Sequence, residues 1–214
     1  MSETPVRPAS ARRERKPRSD GERSRKAILQ QAAQLATVEG IDGLSIGRLA
    51  DAVGMSKSGL FAHFGSKEEL QLATIQAANE VFTEHVVAPA AGAPTAFERL
   101  QRLTEAFLQH VQDDVFVGGC FFASVVAEMD MQPGPVRDLA IRLVDEWFES
   151  LVEAGREAQA EGTIDPAEDP RQLAFELDAF MLMANFQYVA HRDCDAIERA
   201  RRALAHRLAL AAAS

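Results

Sequence analysis

Between Ser45 and Phe64 the chain spells two short helices joined by a tight turn, and few other patterns restrict a fold so closely. Ile46, Leu49, Ala50 and Val53 repeat at i, i+3, i+4 and i+7, the apolar stripe of a two-turn helix. Ser45 stands at the N-cap position and Gly54 where that helix must stop. Ser56 caps a second short helix whose inward face is Leu60 and Phe64, and Gly65 ends it. Two turns of helix do not persist alone in water, so neighbours must hold them. Ile28, Ala32, Leu35 and Ala36 provide one apolar face on a preceding helix, closed by Gly40 and Gly43. Ser66-Lys67-Glu68-Glu69 is a capping box that opens a fourth helix running to about Val87. Packing consumes Leu60 and Phe64, which leaves Lys57, Ser58, Gly59, Phe61 and His63 facing outward. That is the arrangement a helix-turn-helix needs to present its second helix to a DNA groove. Gly59 removes bulk where DNA comes close, and Lys57 and the hydroxyls suit phosphates and base edges. Lys67, at the start of the fourth helix, adds a cation beside backbone N–H groups that favour a phosphate.

A net charge of -9 argues against a polyanionic partner until its distribution is read. Met1 to Lys67 carries twelve Lys and Arg against seven Asp and Glu, whereas Glu68 to Ser214 carries eleven against twenty-five. A basic front and an acidic back let only the front meet phosphate. Residues 1–20 read as a disordered tail with Pro5, Pro8 and Pro17. Arg12, Arg13, Arg15, Lys16 and Arg18 in that tail are candidate phosphate or minor-groove contacts.

The remainder repeats helical patterns over 97–111, 121–129, 136–160, 170–190 and 196–212, separated by Gly, Pro and Asp. No run of period-two alternation points to a strand. The expected fold is all-α with about nine helices: a helix-turn-helix unit over 21–83 and a larger helical unit over 84–214. No stretch approaches the roughly 18 apolar residues of a membrane span, and the polar N-terminus is not a secretory signal, so the expectation is cytoplasmic with no membrane partner. Cys120 and Cys194 are too far apart in sequence to form a disulfide framework or a metal cluster. His63, His85, His110, His191 and His206 show no metal-ligand spacing, and no nucleophile-elbow, P-loop or dinucleotide motif occurs. Neither a catalytic residue, a metal nor a cofactor is therefore expected.

The stretch ILQQAAQLATVEGIDGLSIGRLADAVGMSKSGLFAHFGSKEELQLATI resembles the DNA-binding domain of the TetR family of regulators, without gaps. By that resemblance Ser45, Ser56, Lys57, Ser58, Gly59, Phe61, His63 and Lys67 contact DNA. Members often carry Tyr at the position of Phe61, and a phenol oxygen can bond a phosphate as Phe61 cannot. The arginine tail and Lys67 are the expected compensation. GGCFFASVVAEM and WFESLVEAGREAQAEGTIDPAEDPRQLAFELDAF resemble the ligand-binding domain of one TetR subgroup. This second likeness implies a homodimer built from the last two long helices and an effector pocket between the middle helices.

The residues support both implications. Leu173 to Val189 is apolar nearly all round, so that helix must be buried on more than one side. Phe175 and Phe186, with Ile197, Leu204 and Leu208 on the last helix, are the candidate dimer interface. Phe107, Phe116, Phe121, Phe122, Met129, Trp147, Phe148, Phe180 and Met183 are candidate pocket walls, with Cys120 beside them. Their aromatic and thioether character favours a small hydrophobic effector. Cys120 follows two glycines at a helix start, where a helix dipole lowers a thiol pKa.

The expected function is a ligand-responsive repressor that binds a palindromic operator as a homodimer and is released by its effector. Three other readings use the same residues. One is an all-α small-molecule binder or enzyme with a vestigial helix-turn-helix. Another is a repressor that senses oxidants or electrophiles through Cys120. The last keeps DNA binding in an activator or a nucleoid-type protein.

Overall fold

A computed structural model describes residues 17–129 and 133–213, with side chains from Gly21 onward and that of Met129 excepted. Arg12, Arg13, Arg15 and Lys16 lie outside the described residues, as does the side chain of Arg18. Among the described residues there are nine α-helices and no strand. They are α1 (Pro17–Glu39), α2 (Ile46–Val53), α3 (Lys57–Phe64), α4 (Lys67–Phe82), α5 (Ala96–Gln112), α6 (Phe121–Met129), α7 (Pro135–Ala160), α8 (Pro170–His191) and α9 (Cys194–Ala211). None is long and apolar enough to cross a membrane. The first helix starts at Pro17, inside the segment read from sequence as tail. Proline's fixed φ and missing N–H suit a first helical turn.

Local chemistry accounts for the short helices. The Ser45 hydroxyl oxygen accepts the Arg48 N–H at 3.2 Å, Ser56 accepts that of Gly59 at 3.1 Å, and Ser66 accepts that of Glu69 at 3.0 Å. Gly54, at φ +66°, takes the left-handed conformation that closes α2 and turns the chain into α3. Leu49, Leu60, Phe64 and Leu70 are buried together with Ile28 and Ala32 of α1. The fourth helix is regular only to Phe82. It continues as a π turn over Thr83–Val87 and a 3-10 turn over Ala88–Ala90, where Pro89 has no N–H to extend the ladder.

The long helices α5, α7, α8 and α9 form the larger layer. On α8, Leu173, Leu177, Met181, Ala184 and Tyr188 face the core, while Phe175, Leu182, Met183 and Phe186 stay exposed on the other side. The apolar-all-round sequence of α8 therefore resolves into one inward and one outward face. On α9, Ile197, Leu204 and Leu208 are buried within the protomer's own core. They present almost no area to a second chain, which corrects their assignment to a dimer interface. The helix is pinned by Arg201, whose guanidinium donates to both Glu105 oxygens at 2.8 Å, and by Arg207, which donates to Glu168 at 2.7 and 3.1 Å.

The two layers interlock through the segment before α6 and through α6 itself. Gln34 of α1 donates to the Val115 carbonyl at 2.7 Å and accepts the Val117 N–H at 3.0 Å. A Cβ at Gly118 would stand 2.1 Å from the Thr37 carbonyl oxygen, so only glycine permits this approach. At the far end of α6, the Glu128 carboxylate accepts the Ile41 N–H at 2.8 Å and the Asp42 N–H at 3.0 Å. That loop is also held from α4, by Gln71 donating to the Ile41 carbonyl at 2.8 Å and Lys67 donating to the Asp42 carbonyl at 2.7 Å.

Candidate functional site

Two features carry functional chemistry: an exposed face on α3 and a cavity below α4. On α3, burial of Leu60 and Phe64 turns Lys57, Ser58 and Phe61 outward, and Phe61 is 55% exposed. The aliphatic end of Lys57 lies over Gly47 of α2, which sets the ammonium at the edge of the turn. Ser56 and Ser58 share a hydrogen bond at 3.2 Å. Since its cap uses only a lone pair, the Ser45 hydroxyl remains able to donate outward, and of Ser56 and Ser58 one hydroxyl donates to the other. At Gly59 a Cβ would meet the Ser56 hydroxyl at 3.1 Å, so this glycine also protects the cap. His63 is half-buried, with its ring tilted against Phe64. One contact escaped the sequence reading. Arg25 of α1 donates to the His63 carbonyl at 2.6 Å and lays its guanidinium 4.5 Å from the Phe64 ring centroid, fixing the end of α3. Lys67 differs from expectation in that its ammonium already holds the Asp42 carbonyl, leaving two N–H groups for another acceptor.

The cavity measures about 580 Å³. Its roof is the end of α4, Asn79 and Phe82, with Thr83 and Val87 of the π turn. Phe107 of α5 and Cys120, Phe122, Ala123, Val126 and Ala127 at α6 form one side. Leu143, Val144, Glu146, Trp147 and Ser150 of α7 and Asp178, Leu182, Asn185 and Phe186 of α8 complete it. Phe82 is the hub: its ring meets those of Phe107, His110, Phe122 and Trp147 edge-on, with centroids 5.1 to 6.3 Å apart. The side chain of Asn185 accepts the Cys120 N–H at 2.7 Å and so fixes the start of α6 against α8.

Of the expected walls, Phe107, Phe122, Cys120 and Trp147 line this cavity. Phe116 and Phe121 are buried behind it, in a ring chain that runs from His110 to Phe122. Phe148 turns away to lie under the Arg171 guanidinium, 5.2 Å from its ring centroid. Phe180 packs part-buried against the core, and Met183 lies exposed on the outer face of α8. These four aromatics and Met183 are thus corrected as wall residues. Phe186, expected at a dimer interface, is exposed and also touches the cavity. Phe82, Asn79, Glu146 and Asp178 were missed.

Burial sets the electrostatics. Asp178 accepts the Trp147 indole N–H at 3.0 Å, and burial raises its carboxyl above the ordinary value while that hydrogen bond offsets part of the effect. Burial pushes the Cys120 thiol up to about 11, opposite to the lowering expected at a helix start, because desolvating a thiolate outweighs the hydrogen bonds from Ala123 and Phe122. His110 is driven down to about 4 by burial first and by neighbouring His85 second, and neither ring nitrogen has a hydrogen-bond partner. Among the described residues no cluster of His, Cys, Asp and Glu could hold a metal ion.

The molecule thus combines a serine-capped pair of short helices with an aromatic cavity roofed by the far end of the helix that follows them. Comparison with known proteins identifies the family. The family model described as bacterial regulatory proteins, tetR family, matches residues 28–74. The model described as tetracyclin repressor-like, C-terminal domain, matches residues 96–204, more than half of the chain. The chain belongs to the TetR family of transcriptional regulators. It is 24% identical over 179 residues to the transcriptional regulator AcuR of Cereibacter sphaeroides, covering 81% of each. A TetR regulator from Chloroflexus aurantiacus superposes with a TM-score of 0.83 at 27% identity, over 91% of this chain and 98% of that one. AibR, solved with isovaleryl coenzyme A and operator DNA, shares the fold at a TM-score of 0.66 and 24% identity, over 83% of this chain and 94% of that one.

Proposed function

We propose that this regulator is a homodimeric repressor that binds a palindromic operator and is released by a small effector entering the cavity below α4. Residues 21–83 act as the DNA-binding unit and 84–214 as the effector-binding and dimerisation unit. Ser45, Ser56, Lys57, Ser58, Gly59, Phe61, His63 and Lys67 meet the DNA, and the basic tail adds phosphate contacts. The observation that carries this reading is the span of one helix. The first turn of α4 abuts the end of α3, and its last residue, Phe82, is the aromatic hub of the cavity roof. A ligand that displaces Phe82 or Asn79 acts directly on the helix that supports the reading element. Such a ligand favours the DNA-incompetent state by its differential affinity for the two states. A second route runs through α6, which lines the cavity at Val126 and Ala127 and grips the Ile41–Asp42 loop one residue later through Glu128.

The exposed face of α8, with Phe175 and Met183 and with Leu182 and Phe186 at the cavity's edge, supports dimerisation, because large apolar groups on one face gain by covering one another. AibR, with both an acyl thioester and operator DNA, supports the two-ligand logic for this fold. We read the chain as a cytoplasmic regulator rather than an enzyme. The experiment is a gel shift of the full chain on the DNA flanking its gene, followed by a small-molecule screen for release. Salt-sensitive, sequence-selective binding that a ligand reverses supports the proposal. Absence of binding at low salt refutes it and favours a small-molecule binder with a vestigial helix-turn-helix.

A further inference from the structure

We propose that the cavity takes an organic cation, with an ammonium head between Asp178, Glu146 and the Trp147 ring and an apolar body among Phe82, Phe107 and Phe122. The proposal deepens the effector-cavity reading and rests on it. Its first support is the charge inventory of the walls. The acidic groups among the lining residues are Glu146 and Asp178, and that lining contains no Lys, Arg or His. His110, the cationisable group packed behind Phe82, is neutral near pH 7, since burial holds it down to about 4. The lining thus offers the part-buried Asp178 carboxylate, with Glu146 at the exposed rim, and no fixed positive charge. An anion placed there would face the Asp178 carboxylate across a partly dehydrated space, with the exposed Glu146 adding a weaker, solvent-screened repulsion at the rim.

The second support is geometry. Glu146 and Trp147 project from α7 into the same cavity as Asp178 from α8. One Asp178 oxygen holds the Trp147 indole N–H at 3.0 Å, and the other accepts no hydrogen bond within the described chain. Phe82 meets the indole edge-on at 5.1 Å and Phe107 stacks on it at 6.3 Å, so the ring is held at a set orientation. An N–H donating to a carboxylate also leaves the indole more electron-rich, which strengthens the attraction of its face for a cation. A partly buried carboxylate with a free oxygen, beside a restrained indole, is the pairing that recognises a quaternary or tertiary ammonium.

Trp147 is the single tryptophan of the chain, so its emission reports ligand entry without a label. The full-length protein is titrated with benzyltrimethylammonium, with its neutral isostere neopentylbenzene and with phenylacetate. The cation is expected to bind at least tenfold tighter than the isostere, and phenylacetate weakest of the three. In an Asp178→Asn, Glu146→Gln protein the cation's advantage falls to within threefold, while neopentylbenzene affinity is unchanged and reports an intact cavity. Equal affinities for cation and isostere in the wild type, or tightest binding of the anion, overturn the charge assignment and leave the cavity as an effector site. No response of Trp147 to any of the three overturns both. The wild-type series alone decides the matter where the double variant does not fold.

Discussion

His110 converts acid into a measurable loss of stability. Its ring is buried between Phe82, His85 and Phe116, with centroids 5.7 to 5.9 Å away, and neither nitrogen is hydrogen-bonded. The folded protein holds it near 4, against the ordinary 6.5 that the unfolded chain recovers. Because the folded pKa is the lower one, the unfolded state takes up the proton first. The corresponding stability is complete above 6.5 and is lost as pH falls from there towards 4. At about 1.36 kcal/mol per unit the full loss approaches about 3.4 kcal/mol, of which about 2 kcal/mol is gone by pH 5. His110→Leu removes the titration and also removes two unpaired buried nitrogens, so at pH 8 it is expected to be more stable by about 1–2 kcal/mol. Urea unfolding of both proteins at pH 8 and pH 5, at one protein concentration, checks this. Distant carboxylates contribute equally to both proteins, so the difference of differences reports His110 together with its coupling to His85 and Asp113. The wild type should lose about 2 kcal/mol more than the variant. Parallel losses would refute the account of a neutral, unpaired imidazole.

Three further outcomes follow from the same geometry. Glu128→Ala frees the Ile41 and Asp42 amides and should speed their hydrogen exchange on the order of tenfold, about 1.4 kcal/mol; unchanged exchange means that the clamp does not hold the loop. With iodoacetamide at pH 8, exposed Cys194 should be alkylated while Cys120, only about 0.1% thiolate, stays intact until denaturant is added; rapid labelling of Cys120 would revive the electrophile-sensor reading. Phe175→Asp places a charge on the outer face of α8 and should shift a dimer towards monomer in sedimentation without lowering helix content, an outcome that persistent dimer would contradict.

What the sequence made legible is what short-range chemistry decides. The serine caps at Ser45, Ser56 and Ser66, the closing turns at Gly54 and Gly65, and the inward pair Leu60 and Phe64 all depend on neighbours within four residues. The stripe on α9 was equally visible, but its partner was not. An apolar face reads the same whether its own chain or a second copy covers it, and here α5 and α8 of the same chain bury Ile197, Leu204 and Leu208. The cavity was hidden for a related reason. Phe121 and Phe122 are adjacent aromatics, and only the rotation of α6 puts Phe122 on the wall and Phe121 behind it. Asp178 and Glu146 are two among many charged residues of α7 and α8, and sequence position alone does not mark them as cavity-lining. At Cys120, helix position and burial pull the thiol in opposite directions, and sequence displays the first alone.

On the proposed function, the outward face of α3 reads DNA on behalf of the whole molecule. A nuclease footprint on the DNA flanking its gene, run with wild type and Lys57→Ala over a series of salt concentrations, decides whether it does. Protection is expected over a palindrome whose half-sites lie about 34 Å apart or a multiple of that. Lys57→Ala should weaken protection and lower the salt slope by about one, leaving the boundaries unchanged. Uniform protection without boundaries, or a footprint indifferent to Lys57 at every salt concentration, would contradict it.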